Sequence, residues 1–471
     1  MICLLLKCQR FDLLSVILRK LHDDGFTPHR SIYRILISGY CKDMNLQLVE
    51  RLLVDMDKNG CVPYIWAYNM YLNSLCKERR LDDAMNMLES MDKIGRDPDV
   101  VSYTTIINGL CTSKRFASAM EIWDEMWKRG FRPDVMASGS LIFGLCRCGK
   151  VDVAYEIMME VIKNKCELSV SIYNAVINGF CKAGRVDKAK AIMSLMRRNG
   201  YKPDLITCNI LLKYWCNTGM VDEAEKLIRN MENAGFNPDI YSYNLLLKGL
   251  CETKHIEKAY KLFVNKMEIE GLCDIISCNI LINGLCRIRR TTIAYKLFKG
   301  MSLKGIEPDT VTYGTLINGF LMDKNAKFAE ELFDQMFVTG VVPNANVYTI
   351  MVHHLCKTGR IALAFSHFHD MINRGISPDV VSYGPLVNGL LRAHRVNEAM
   401  VLYEDMLNRG VIPDEVTYKM IIGGLLMDDK VELAHMIWND MMEKGITLHR
   451  AVSERLIKAT MLKDLSINEC R

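Results

Sequence analysis

Asparagine or threonine recurs along this chain with an aspartate 30 residues further on. Asparagine and threonine side chains both donate and accept hydrogen bonds, whereas an ionised aspartate only accepts them. A regular row of such groups favours recognition of a ligand at evenly spaced points. The seven pairs are Asn69 with Asp99, Thr104 with Asp134, Asn174 with Asp204, Asn209 with Asp239, Asn244 with Asp274, Asn279 with Asp309 and Thr349 with Asp379.

The pairs belong to a 35-residue repeat that runs through the chain twelve times. A period of this length indicates a solenoid, in which each unit buries its apolar face against its neighbours. We expect a truncated N-terminal repeat at 1–29, twelve repeats at 30–449 and a C-terminal partial repeat or cap at 450–471. The twelve blocks begin at residues 30, 65, 100, 135, 170, 205, 240, 275, 310, 345, 380 and 415.

Each block has the pattern of two antiparallel helices. In the block 170–204, Tyr173, Val176, Ile177 and Phe180 follow the spacing of one helix face. A turn with Gly184 separates this helix from a second apolar stripe, and proline and aspartate then end the block. The sequence therefore predicts an all-α protein with 24 helices in the twelve blocks.

Three places in the block have packing roles. Place twenty is alanine in eleven blocks, which lets the two helices of a pair approach closely. Place ten is glycine in most blocks, although glycine inside a helix costs about 1 kcal/mol, and this favours tight helix–helix contact there. Place twelve is cysteine in nine blocks, and we expect these cysteines to be small buried side chains without disulfides.

One block departs from the repeat inside a helix. The seventh block has its place-twenty-seven methionine one residue late, at Met267, and a shortened turn, 271–274, compensates. The fourth and twelfth blocks lack the proline–aspartate ending. The sequence thus predicts a local irregularity in the second helix of the seventh block.

Composition and motifs exclude several functions. The net charge of +5 is too small to identify a nucleic-acid partner by itself, although a basic stripe on one face is compatible with it. No apolar run reaches the roughly 20 residues of a membrane span. His255 and Glu257 form a lone His-x-Glu motif without the cysteines of a zinc site, and no glycine-rich phosphate loop occurs. We predict no metal, no cofactor and no enzymatic activity.

Several motifs together resemble the pentatricopeptide repeat family, in its pure-repeat class. They are the 35-residue period, the Tyr-Asn or Tyr-Thr start, the Gly-Leu-Cys, the alanine and the Gly-x-x-Pro-Asp ending, as in VVSYTTIINGLCTSKRFASAMEIWDEMWKRGFRPD at 100–134. The resemblance covers essentially the whole chain and extends to restorer-of-fertility-like plant members. It implies a right-handed α-solenoid superhelix that binds single-stranded RNA, one base per repeat, read by a few side chains.

The resemblance also implies which residues read the bases. In the family, place five of the first helix and place thirty-five at the end of the block select the base. Asparagine with aspartate resembles a uracil reader and threonine with aspartate a guanine reader, so the expected target is 5′-NUGNUUUUNGNN-3′. Five blocks depart from this rule: they carry Arg34 with Tyr64, Gly139 with Ser169, Gly314 with Asn344, Gly384 with Asp414 and Lys419 with His449.

Two further rows complete the expected RNA contacts. Place two stacks on bases in the family, and stacking on aromatic side chains contributes about 1–3 kcal/mol per base. The predicted stacking residues are Trp66, Val101, Ile206, Tyr241, Ile276, Val311 and Val381. Place thirteen is basic in seven blocks and would form a ladder for phosphates. The predicted phosphate-binding residues are Lys42, Lys77, Arg147, Lys182, Arg287, Lys357 and Arg392.

Structural explanations compete with these assignments. Basic residues at helix ends are stabilised by the helix dipole, whether or not they bind phosphate. Aspartate before a helix caps it and forms turns, which accounts for part of its recurrence at place thirty-five. Capping does not explain asparagine inside a helix.

Family resemblance further implies a location and partners. A mitochondrial protein is expected, with the chloroplast as the alternative, and no transit peptide is visible because Met1 already lies in repeat sequence. The expected partners are single-stranded RNA and organellar RNA-processing proteins, with a monomer as the expected state and no membrane. The alternative function is a helical scaffold that binds other proteins.

Overall fold

A computed structural model describes most of the repeat region. The truncated repeat at the N-terminus, the C-terminal cap and His449 lie essentially outside the described residues, so the expectations for them stay predictions. The described residues are 20, 30–58, 63–93, 95–446, 454, 456 and 458.

Within these residues the chain forms 24 α-helices, which we number in order so that each block has one odd and one even helix. The first helices are α1 Arg30–Lys42, α3 Ile65–Lys77, α5 Val100–Thr112, α7 Val135–Arg147, α9 Val170–Lys182, α11 Leu205–Asn217, α13 Ile240–Glu252, α15 Ile275–Arg287, α17 Thr310–Met322, α19 Ala345–Lys357, α21 Val380–Arg392 and α23 Glu415–Met427. The second helices are α2 Leu46–Lys58, α4 Leu81–Lys93, α6 Phe116–Lys128, α8 Val151–Lys163, α10 Val186–Arg198, α12 Val221–Asn233, α14 Ile256–Leu262, α16 Thr291–Leu303, α18 Ala326–Val338, α20 Ile361–Asn373, α22 Val396–Asn408 and α24 Val431–Glu443.

The helices fall into two compact units, Met1–Asn237 and Pro238–Arg471. In each unit, every first helix contacts the second helix of its own block and the first helix of the next. Helices of about 13 residues are marginal alone in water, so packing between blocks supplies most of their stability. The prediction of an all-α repeat solenoid is confirmed.

The core follows the predicted stripes. In the fifth block, Tyr173, Val176, Ile177 and Phe180 are fully buried, and the place-twenty alanine, Ala189, is buried beneath them. All eleven place-twenty alanines are buried, as expected where helices pack closely, and so is Val49 at the same place of the first block.

The glycine at place ten and the cysteine at place twelve are in direct contact across successive blocks. A Cβ atom added to Gly109 would lie 2.6 Å from Sγ of Cys76, and one added to Gly284 would lie 2.7 Å from Sγ of Cys251. The glycine of one block therefore accommodates the cysteine of the block before it. The expected tight contact exists, and it joins the first helices of successive blocks.

The place-twelve cysteines are free and largely buried, as predicted. Burial raises the pKa of Cys76 to about 11 and the pKa of Cys111 to about 12. These thiols are therefore protonated at neutral pH and serve as packing groups.

The irregularity predicted in the seventh block is a π-helical segment, Phe263–Glu268, which continues α14. A π-helix accommodates an extra residue because its hydrogen bonds span five residues. Met267 consequently becomes fully buried although it stands one place late in the sequence.

Candidate nucleic-acid interface

The place-thirty-five aspartates lie at the N-termini of first helices. Asp99 accepts a hydrogen bond at Oδ1 from the backbone N–H of Ser102, and the Ser102 hydroxyl in turn accepts from the Asp99 backbone N–H. The same capping arrangement recurs at four other aspartates, which are Asp204, Asp274, Asp309 and Asp379. An N-cap of this kind stabilises a helix by about 1 kcal/mol. Capping is therefore one real role of these aspartates.

Place five brings a second partner to the same carboxylates. The Asn69 amide donates from Nδ2 to Oδ1 of Asp99 over 3.1 Å, and Asn174 donates to Asp204 over the same distance. The bonds from Asn244 to Asp274 and from Asn279 to Asp309 are 3.2 Å long. The structure thus pairs the residues that the sequence predicted to act together. Asn209 and Asp239, the remaining asparagine pair, belong to different units of the chain.

In three of these pairs, a hydroxyl group at place three of the next block donates a hydrogen bond to the asparagine. Ser102 donates to Oδ1 of Asn69 over 2.6 Å, Thr207 donates to Asn174 over 2.6 Å, and Thr312 donates to Asn279 over 2.7 Å. We call these three sets the asparagine clusters: Asn69–Asp99–Ser102, Asn174–Asp204–Thr207 and Asn279–Asp309–Thr312. The sequence analysis missed the hydroxyl, although serine or threonine at place three after an aspartate is visible in the repeat.

The cluster leaves two polar atoms for a ligand. The hydrogen bonds from the cap N–H, the hydroxyl and the asparagine all reach one carboxylate oxygen, Oδ1. Oδ2 takes part in none of them and can accept. Nδ2 of the asparagine uses one of its two hydrogens on the aspartate, so the second can donate. Each cluster therefore offers one donor beside one acceptor.

The carboxylates of two clusters are held in the ionised form. Burial raises the pKa of Asp204, but hydrogen bonds from the Thr207 N–H, the Thr207 hydroxyl and Asn174 outweigh it and lower the pKa below its usual value. The pKa of Asp309 is lowered in the same way, against burial, by Thr312 and Asn279.

The threonine pairs differ from the asparagine pairs. Ser382 lies 2.8 Å from Oδ1 of Asp379, closer than the 3.0 Å to the Thr349 hydroxyl, and with its hydrogen on the carboxylate it accepts that of Thr349. In the third block, Thr104 donates to the carbonyl of Val100 over 2.7 Å. The threonine hydrogen is used inside the protein in both blocks, which leaves lone pairs on the threonine and the aspartate.

The fifth block shows how the predicted rows combine. A cavity of roughly 590 Å³ is lined by the Asn174–Asp204 pair, by Ser171 and Ile206 at place two of this block and the next, and by the basic Arg147 of the preceding block. The structure therefore brings the place-two, place-five, place-thirteen and place-thirty-five residues to one cavity.

An equivalent cavity exists in the third block. It has a volume of roughly 510 Å³ and is lined by Thr104, Asp134, Val101, Met136 and Lys77, which hold the corresponding places. Met136 was not among the predicted stacking residues, yet its side chain is 65% exposed and forms one wall. Its place in the repeat could have identified it.

The remaining place-two side chains are also exposed. Most of them are apolar or aromatic, with Ser31, Ser171 and Asn346 as the polar exceptions, and repeated exposed apolar side chains are typical of a binding surface. The exposed apolar members that were predicted to stack are Trp66, Val101, Ile206, Tyr241, Ile276, Val311 and Val381, and Val416 is exposed as well. In the first block the Arg34 guanidinium lies over the Trp66 ring at 5.3 Å.

The seven basic residues at place thirteen each form the last residue of a first helix and are exposed. None of them forms an ion pair within the described part of the chain. By contrast, Arg115 pairs with Asp82 and Arg185 with Asp152 across successive second helices. The place-thirteen cations therefore keep their charge available for an anionic ligand.

The described residues contain no group of three or more His, Cys, Asp or Glu side chains able to hold a metal ion. No described helix is long and apolar enough to span a membrane.

Stacked helix pairs, with polar clusters at several junctions between blocks, define the chain as an α-solenoid repeat protein. Comparison with family models places it more narrowly. A model described as the PPR repeat family matches residues 63–112, 98–137, 168–213, 203–252, 274–322, 313–357, 346–392 and 378–427. The pentatricopeptide repeat domain matches 16–78 and 121–183, and a PPR repeat matches 241–265 and 416–446. The chain belongs to the pentatricopeptide repeat family.

Solved structures share the fold. The crystal structure of the pentatricopeptide repeat protein PPR10 from maize is 22% identical, with a TM-score of 0.63 over 95% of this chain and 68% of that chain. A triple cysteine-to-serine variant of PPR10 in complex with an 18-nucleotide psaJ RNA element is 21% identical, with a TM-score of 0.64 over 97% of this chain and 70% of that chain. A sequence comparison with curated proteins gave no match.

Proposed function

We propose that this protein binds single-stranded RNA in a sequence-specific manner, one base per repeat. The observation that carries the proposal is the cavity of the fifth block, where a hydrogen-bonding pair lies between two place-two side chains and beside a basic residue. A base has a polar edge, two flat faces and a phosphate, and these match the three kinds of lining group. The psaJ RNA complex of the similarly folded PPR10 supports the same ligand class.

The hydrogen-bonding capacity of each pair selects the base. An asparagine cluster offers a donor beside an acceptor, which complements a carbonyl oxygen of uracil and its adjacent N3–H. A threonine pair offers two acceptors, which complement the N1–H and N2 amino group of guanine. The resulting target is 5′-NUGNUUUUNGNN-3′, where N stands for a base opposite a block without either pair.

The biological role follows from binding alone. We infer that the protein protects, blocks or remodels a transcript by occupying it, without catalysing a reaction. The family points to an organellar transcript, in the mitochondrion or else in the chloroplast, with organellar RNA-processing proteins acting on the complex. The protein would act as a monomer, since one chain carries the whole row of pairs.

A binding assay tests the proposal. Fluorescence anisotropy compares labelled 5′-AUGAUUUUAGAA-3′ with the same RNA in which the four central uracils are adenines. We expect at least tenfold tighter binding to the first RNA, because each mismatched pair leaves a polar group without a partner. Equal affinity for both, or binding to neither, would show that the protein is not a reader of this sequence.

A further inference from the structure

We propose that the hydroxyl group at place three of the following block is a positioning residue that fixes base preference, because it holds the asparagine amide in one orientation. This inference rests on the proposed function and adds a third side chain to the two that touch the base. It concerns Ser102, Thr207 and Thr312.

The orientation of the amide follows from what each side chain can donate or accept. An ionised aspartate cannot donate, so the asparagine must turn Nδ2 toward it, and Oδ1 must face the other way. There Oδ1 meets the hydroxyl of the next block, at 2.6 Å from Ser102 and 2.7 Å from Thr312. The amide therefore has a hydrogen bond at each end, and rotation about its terminal bond would break both.

The hydroxyl has a choice of acceptors, and the distances show which it favours. Ser102 lies 2.6 Å from Oδ1 of Asn69 and 3.0 Å from Oδ1 of Asp99. Thr207 likewise lies closer to Asn174 than to Asp204. The hydroxyl hydrogen therefore points mainly at the amide oxygen.

The seventh block is a natural contrast. The place-three residue of the block that follows it, Ser277, donates to the carbonyl and the carboxylate of Asp274, and Oδ1 of Asn244 is buried without a partner. Nδ2 of Asn244 correspondingly lies within 3.5 Å of both oxygens of Asp274. This pair lacks the second hydrogen bond, and among the described residues its block is the only one whose second helix contains a π-helical segment.

The consequence concerns uracil against cytosine, which have the same size. Uracil presents N3–H and carbonyl oxygens, whereas cytosine presents an amino group and an unprotonated N3. An amide held with Nδ2 beside the aspartate turns its second N–H to the base. It donates to a carbonyl oxygen of uracil while Oδ2 accepts from N3–H, but in the same position cytosine would set its amino group against this donor and its N3 lone pair against the carboxylate. An amide free to turn can donate or accept, so it tolerates both bases.

The test replaces Thr312 by valine, which keeps the shape and removes the hydroxyl. Affinities are measured for 5′-AUGAUUUUAGAA-3′ and for the same RNA with cytosine at its eighth position, the base opposite Asn279. We expect the uracil preference at this position to fall about tenfold in Thr312→Val and to be retained in Thr312→Ser.

Thr417→Val is the matched control. Thr417 likewise donates to the capping carboxylate, Asp414, from its backbone N–H and from its hydroxyl, the latter at 2.7 Å, but the place-five residue of the preceding block is Gly384. We expect a similar loss of thermal stability and no change in preference at the eighth position. Ser277→Ala should change the preference at the seventh position less than Thr312→Val changes it at the eighth.

The outcomes separate the two proposals. If the wild-type protein does not distinguish uracil from cytosine at the eighth position, base reading itself fails. If it does, and Thr312→Val weakens both RNAs equally, the hydroxyl only caps the helix and the inference is wrong. Should Thr312→Val not fold, Ser102→Ala decides by the same measurement at the second position.

Discussion

Two kinds of polar cluster are built on places five and four of the first helices, in different blocks, and they differ in whether their hydrogen bonds are complete. At place four, Tyr348 donates to Asp370 over 2.6 Å, and Arg374 pairs with the same carboxylate at 2.9 Å. The arrangement recurs with Tyr383, Asp405 and Arg409, and with Tyr418, Asp440 and Lys444. We call these the tyrosine clusters.

A tyrosine cluster is electrically balanced, since each carboxylate has a cation. An asparagine cluster has a carboxylate with no cation among its described hydrogen-bond partners, and an amide hydrogen and a carboxylate oxygen remain for a ligand. In a tyrosine cluster the carboxylate already has a hydroxyl and a cation as partners. Such a closed cluster stabilises the fold and leaves no charge for a ligand. An open cluster beside a cavity is suited to recognition. The comparison predicts that changes in the two clusters have separable effects.

The largest effect is expected when the open clusters are removed from the uracil-reading blocks. We expect Asn174→Ala, Asn209→Ala, Asn244→Ala and Asn279→Ala together to weaken binding of the uracil-rich RNA about a thousandfold. This follows from about 1 kcal/mol for each of four lost base contacts. The same RNA with four adenines should bind the quadruple variant and the wild type equally. A loss below fivefold on the uracil RNA would assign these asparagines to structure alone.

Removing three cations at place thirteen should have the next largest effect. We expect a triple variant to have a shallower slope of log affinity against log salt concentration, by about 2, at about 0.7 per phosphate contact. The variant carries Lys182→Ala, Arg287→Ala and Lys357→Ala. The affinity at 0.1 M salt should fall about a hundredfold, with the base preference unchanged. As a control, Arg115→Ala and Arg185→Ala remove cations already paired with aspartates. An equal effect from both sets would mean that place thirteen has no special role.

Exchanging one reader should change one base. Asn279→Thr places a hydroxyl where Thr312 can accept its hydrogen, as Ser382 does for Thr349. The eighth position of the RNA should then change from uracil to guanine preference by about tenfold, while the other positions keep theirs. If another position changes instead, the register between repeats and bases is displaced.

The sequence predicted the rows but not the links between them. Periodicity located the helix pairs, because equivalent positions in similar units have equivalent surroundings, and the family resemblance implied that Asn174 and Asp204 act together. It could not show that Thr207 bridges them, since this bond joins residues of different blocks and depends on how closely two helices pack. Similarly, the glycine at place ten indicates tight helix packing, but the sequence does not show that the cysteine of the preceding block is its partner. Met136 was missed although its place was already assigned.

Changes in the tyrosine clusters should affect stability and leave binding intact. Tyr348→Phe removes a hydrogen bond to a charged group and should lower the free energy of unfolding by about 1–2 kcal/mol. Hydrogen bonds from Tyr348 and Arg374 lower the pKa of Asp370 against the effect of burial, so the stabilisation is complete above the usual carboxylate pKa. It should be lost as the pH falls through the lower pKa of the folded state. Urea denaturation at pH 7 and the uracil preference are the two measurements, and a changed preference would contradict the separation.

The smallest expected effect is that of pH on base preference. Here the expected result is no change, because the carboxylates of the asparagine clusters should stay ionised. The pKa values of Asp204 and Asp309 lie below the usual value, because hydrogen bonds to the charged carboxylate outweigh its burial. Both side chains should remain ionised from pH 8 down to pH 5, since an ordinary aspartate titrates only near about 3.9. Uracil preference at the fifth and eighth positions should therefore stay constant over this range. A preference that declines between pH 7 and pH 5 would mean that these carboxylates are protonated far more easily, and that the hydrogen bonds from Thr207 and Thr312 do not hold their charge.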